Sequence, residues 1–179
     1  MIEDMLKQKP SKSTDKDALN LQKNKLPSRY DERWKYTDLS RLLADVPFKS
    51  IKKDVVESGI DEKIHSRVLE YSNRLVFING VFSLEFSKYD KAISMEITDH
   101  TVTKGINVHT HPMVGIIEKS NAKGISITVS KTLDEPLIIL HIFTNQAQGC
   151  WIQPNLKIAI NQQCSVEIHE KAMQLCQHS

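Results

Sequence analysis

The sequence has little that would mark it for export, for a bilayer or for a polyanion. Its three cysteines, Cys150, Cys164 and Cys176, are odd in number and form no CxxC pair. That pattern argues against a disulfide framework and fits a reducing cytoplasm. No apolar run approaches the roughly 20 residues that span a membrane, the longest being Pro136 to Phe143. The N-terminus carries Glu3 and Asp4 and no apolar stretch of signal-peptide length. Charge of one sign is also missing: 24 basic and 22 acidic side chains leave a net +2, too little to hold nucleic acid or an anionic membrane surface. A phosphate-cradling glycine loop, a nucleophile elbow and paired zinc motifs are absent too.

What is present suffices for one folded domain, since 40% of the 179 residues are hydrophobic. Residues 1–25 are rich in Lys, Asp, Ser and Asn and read as a flexible leader, because ordering them would cost more than their burial returns. From Leu26 the texture changes. Thr37 can cap a helix with Leu39, Leu42 and Leu43 at helical spacing, and Pro47 stops it. A second amphipathic piece, Ile60 to Tyr71, places Ile64, Val68 and Tyr71 on one face, with Asp61 and Glu62 where the helix dipole favours them. Residues 26–72 therefore read as a helical N-terminal domain.

Beyond Asn73 the period changes. RLVFING, AISMEIT, ISITVS, LIILHIFT, LKIAIN and SVEIHE are short runs rich in Ile, Val and Leu with Gly, Asn, Asp or Pro between them, the signature of strands. SITV, KIAI and VEIH alternate apolar and polar residues, while PLIILHIF is nearly continuous and is expected to lie against another layer. Pro112 to Ala122 reads as a short helix with Met113, Ile116 and Ile117 inward. Periodicity alone leaves a sandwich, a barrel and a solenoid open for residues 73–172, with 173–179 as a tail.

Two segments carry a resemblance. Leu26, Pro27, Ser28 and Arg29, the carboxylate of Glu32, then Trp34, Lys35, Tyr36, Thr37 and Leu39 form one. Arg74 to Ser83, RLVFINGVFS, forms the other, with Asn79-Gly80 where positive backbone dihedrals are cheap. Gly124 to Val129 followed by Glu135 to Ile142 adds a third, looser stretch. In this order the segments resemble the N-terminal part of the SufD family of iron–sulfur cluster assembly proteins. Trp34 and Tyr36 would anchor a bend between helices there.

The resemblance implies a mainly β chain with a helical N-terminal region, opening a right-handed parallel β-helix. It implies a non-catalytic scaffold working beside SufB- and SufC-like proteins, with an iron–sulfur cluster in the assembled complex and none bound by this chain. The family continues through further coils and a C-terminal helical domain that lie beyond this sequence. Its cluster-site residues and SufC-holding helices are therefore not carried across, and Gln153-Pro154-Asn155 stand where the family has histidine or arginine. A β-helix cut after its first coils exposes the backbone of its last strands, so a homo-oligomer closed through Leu156 to Glu170 is expected.

The competing reading is a small cupin-like metal-binding enzyme using His109, His111 and Glu118. His109 and His111 are alternate residues that a strand projects to one side. Gly105, His109, His111, Glu118 and Gly124 come in cupin order, but the gaps depart from that pattern and Pro112 interrupts the strand. Exposed loop histidines are the simpler account. His141 and His169 stand without an acid close in sequence and read as hydrogen-bonded structural histidines. Cys150 and Cys164 read as small half-buried thiols, and the short Lys49 to Lys53 cluster as a solvated linker face.

Overall fold

The computed structural model describes residues 30, 32–38, 41, 62–98, 124–150 and 152–175. Leu26, Pro27, Arg29, His109, His111, Glu118, Cys176 and the segment Pro112 to Ala122 lie outside these residues. Seven strands run in the order β1 (Arg74–Ile78), β2 (Val81–Lys88), β3 (Ile93–Thr98), β4 (Gly124–Val129), β5 (Leu137–Thr144), β6 (Leu156–Ile160) and β7 (Ile168–Leu175). Among the described residues the helix α1 (Glu62–Leu69) comes just before them.

The strands form a four-stranded sheet ordered β2-β1-β5-β7 and a three-stranded sheet ordered β3-β4-β6. From β4 onward the chain alternates between the sheets, and each crossing adds a parallel strand: β5 beside β1, β6 beside β4, β7 beside β5. β1 pairs antiparallel with β2, and β3 antiparallel with β4.

The expectation of a right-handed parallel β-helix is thereby corrected, because the described residues form two mixed sheets and no solenoid. The Asn79-Gly80 turn supplies part of the reason. Asn79 at φ 50° and Gly80 at φ 81° put positive dihedrals at both central positions, the condition of a two-residue I′ hairpin. Such a turn reverses the chain at once and commits β2 to antiparallel pairing with β1, where a coil would have to lead away to a different sheet.

The helical N-terminal region is also corrected as far as it is described. The described residues of this stretch comprise α1, a 3-10 turn at Glu32–Trp34 and helical Arg41. Asp38 Oδ1 accepts the Arg41 N–H at 3.1 Å. Tyr36 is 90% exposed beneath the Lys35 ammonium, 5.0 Å from its ring centroid. Trp34 is half-buried.

Strand alternation sorts the core into two clusters. Leu75 and Phe77 of β1, Leu137 and Ile139 of β5, Ile125, Ile127 and Val129 of β4 and Ile93 of β3 fill the space between the sheets. Val76, Ile78, Ile138, Leu140 and Ile142 point the other way and join Phe86 and Val68 of α1. β1 and most of β5 are therefore buried on both faces, which explains why LIILHIF reads as an unbroken apolar run. β2 escaped the sequence reading as a strand of its own, and β7 begins later and runs further than SVEIHE suggested, with Met173 and Leu175 packed on the outer cluster.

Candidate functional site

Among the family-motif residues, Arg74 stands at the open end of the β1–β2 hairpin and Asn79 and Gly80 at its turn, and Arg74 and Asn79 do identifiable structural work. Asn79 is 2% exposed. Its Nδ2 donates to Thr144 Oγ1 at 2.8 Å, its Oδ1 accepts Thr144 N–H at 2.9 Å, and its own N–H reaches Ile142 O at 2.8 Å. One side chain thus closes the ladder at the end of β5. Arg74 Nε donates to Phe86 O at 2.8 Å and its Nη1 to Tyr71 O at 2.6 Å. Burial pulls this guanidinium below its ordinary pKa, though a guanidinium stays charged in proteins. Beside it the β1–β2 register shifts, and Ser87 fills the gap: its Oγ accepts Val76 N–H at 2.9 Å and donates to Ser83 O at 2.5 Å.

The histidines do find acids, contrary to the expectation that they stand alone. His141, 9% exposed, lies with Nε2 2.7 Å from Glu170 Oε1 and its ring stacked on Phe77 at 5.3 Å. The parallel register explains this meeting: Ile139 is opposite Glu170 and His141 opposite Ala172, so both side chains share one face. Exposed His169 meets Glu167 at 2.5 Å, two residues away on the same side of an extended chain. That spacing was readable in the sequence, whereas the His141 partner, from a strand 29 residues on, required the register. Neither pair has a nucleophile or third orienting group bonded to it among the described residues, so each ties structure together.

Metal and pocket chemistry is sparse. Among the described residues no group of three or more His, Cys, Asp and Glu is placed to hold an ion, and Cys150 and Cys164 are half-buried free thiols. A groove of ≈ 700 Å³ between the β2–β3 and β4–β5 loops is lined by Lys88, Lys91 and Lys131 but equally by Asp90, Asp134 and Glu135, and so presents no field of one sign. No helix among the described residues is long and apolar enough to cross a membrane.

The feature that stands out is the pair of open edges. β7 and β6 each end a sheet. Leu137 N–H bonds Glu167 O at 2.8 Å, which with the parallel register turns the backbone of Glu167, His169, Lys171, Met173 and Leu175 toward β5. The amides and carbonyls of Ile168, Glu170, Ala172 and Gln174 point outward. In β6, the bonds Ile125 N–H to Asn155 O at 2.9 Å and Asn161 N–H to Val129 O at 3.0 Å likewise leave Leu156, Ile158 and Ile160 facing out. Ile160 and Ile168 are 46% and 37% exposed. Neither strand contains proline, and all eight residues of β7 pair in unbroken register. Neither strand has a proline or a bulge, but β6 is short and carries Lys157, and β7 carries Glu170 and Lys171, charges of the kind that guard an edge.

Comparison of the sequence with protein-family models and with curated proteins gives no match.

Proposed function

We propose that this chain is a SufD-like scaffold component of cytoplasmic iron–sulfur cluster assembly, without catalysis of its own, that works by being gripped by SufB- and SufC-type partners. The observation that carries the reading is the pair of sheet edges, β6 and β7, whose outward backbone groups can pair with another chain. The resemblance of the Leu26 to Thr37 and Arg74 to Ser83 motifs supports the choice of family. The cluster is cargo of the assembled complex in this reading.

The test is co-expression of the tagged full chain with the SufB- and SufC-like proteins of the same cell. A complex that stays together through gel filtration supports the proposal. Elution of the chain apart from both overturns it.

A further inference from the structure

We infer that Arg74 and Lys88, opposite each other across β1 and β2, form a binding site for a phosphate-type dianion, inorganic phosphate or a phosphate monoester. Such a site is separate from the edges at β6 and β7 and exists whether or not the chain serves as a scaffold.

Arg74 is 5% exposed, and its guanidinium is held in place before any ligand arrives. Nε donates to Phe86 O at 2.8 Å and Nη1 to Tyr71 O at 2.6 Å. The Phe86 carbonyl is within reach because β2 carries extra residues here: the register runs from Arg74 opposite Lys88 to Val76 opposite Ser83. Ser87 pins this irregularity by accepting Val76 N–H and donating to Ser83 O. Carbonyl oxygens satisfy N–H groups but bring no net charge. Nη2 keeps two N–H groups for which no acceptor stands among the described residues.

The charge itself is unanswered. A buried charge is ordinarily matched by an opposite one, because taking it out of water is expensive. No carboxylate among the described residues is bonded to Arg74 or Lys88, and the ion pairs found there both belong to histidines. The acids nearest along β2 are placed otherwise: Glu85 is exposed, and Asp90 Oδ1 accepts Ala92 N–H at 2.7 Å. The lowered pKa of Arg74 agrees, since burial is its cause and a bonded carboxylate would act in the opposite sense.

Lys88 sharpens the need for an anion. Opposite residues of an antiparallel pair project to one face with Cβ atoms about 4.5–5.5 Å apart, and like charges so placed repel. An anion shared by the two turns that repulsion into two attractions. The donors then narrow its chemistry. A guanidinium offers paired N–H groups that match two oxygens of one phosphate or carboxylate, and a lysine adds a point charge. Two positive charges match a dianion, which selects phosphate over a carboxylate. Exposed Lys88, with Ser72 and Asn73 just before Arg74, also lines the groove of ≈ 700 Å³, which gives a ligand its way in.

The test is titration calorimetry of the full chain with inorganic phosphate, at an ionic strength held constant with sodium chloride. One saturable site is expected, together with a displaced Arg74 Nε–H signal in the NMR spectrum. Lys88→Gln leaves the thermal midpoint in place and weakens binding about tenfold or more. Lys88→Arg restores it, and Lys91→Gln, in the exposed part of the same groove, changes it little. Glycerol 2-phosphate binding as tightly as phosphate identifies a monoester as the ligand, and binding of phosphate alone identifies the free anion.

Absence of saturable binding overturns the inference. So does binding that Lys88→Gln leaves unchanged, or that Lys91→Gln weakens equally, since the ion is then held elsewhere or by the general charge of the groove. Acetate that binds as tightly as phosphate overturns it too, because the site then does not select a dianion.

Discussion

Asn79 holds a left-handed backbone, φ 50°, and spends both ends of its amide on Thr144. These two roles separate by substitution. Asn79→Gly keeps the dihedral at no steric cost but removes both bonds, leaving the Thr144 N–H without that acceptor; a buried donor left so costs about 1–3 kcal/mol. Thr144→Val removes only the hydroxyl and is the milder change. Urea unfolding should therefore rank Asn79→Gly below Thr144→Val, and equal midpoints would show that the amide bonds contribute nothing.

Gly80 is a different case. It lies at φ 81°, and an added Cβ would approach Ile152 Cγ2. That methyl sits on the β-branched carbon of Ile152, which is stiff at χ1, so Gly80→Ala adds a steric clash to the left-handed backbone penalty of about 1–2 kcal/mol. Both residues were legible as a turn from the dipeptide alone. The Thr144 contact was not, because it joins positions 65 residues apart.

At the scale of elements, the outward and inward backbone groups of β7 give an alternating pattern of hydrogen exchange. Amides of His169, Lys171, Met173 and Leu175 donate into the ladder with β5 and exchange slowly. Those of Ile168, Glu170, Ala172 and Gln174, which point away from β5, exchange fast. β6 should show the same alternation, with Lys157, Ala159 and Asn161 slow. Uniform protection along β7 in a monomer would mean that another part of the chain already covers the edge.

The strands themselves were largely readable, because Ile, Val and Leu alternation marks a half-buried surface and LIILHIFT coincides with β5. β2 was hidden by its mixture of Ser, Glu and Lys with apolar residues, which reflects one largely wet face. β7 was misplaced because IHEKAMQL is mostly exposed and leaves a faint hydrophobic signal. Sheet order was out of reach of periodicity: nothing in the alternation of a strand states whether its neighbour is parallel, and it took the I′ turn and the register to replace a coiled stack with two mixed sheets.

At the scale of the molecule, the two apolar clusters share their central strands. Leu75 and Phe77 point into one and Val76 and Ile78 into the other, and β5 divides in the same way. Neither cluster can come apart without removing the backing of the strands that build its neighbour. Ile127→Ala, in the space between the sheets, and Leu140→Ala, on the α1 side, should each cost about 2–5 kcal/mol, the range for deleting fully buried aliphatic groups. Because the clusters are coupled, each variant should lower one common transition, with circular dichroism and fluorescence coincident. If Leu140→Ala melted the α1 side early and left the inner sheet contacts at the wild-type midpoint, β1 and β5 would be two separable surfaces that happen to touch. The open edge of β7 would then hang on the less stable of them, and a partner could be bound only as firmly as that layer holds together.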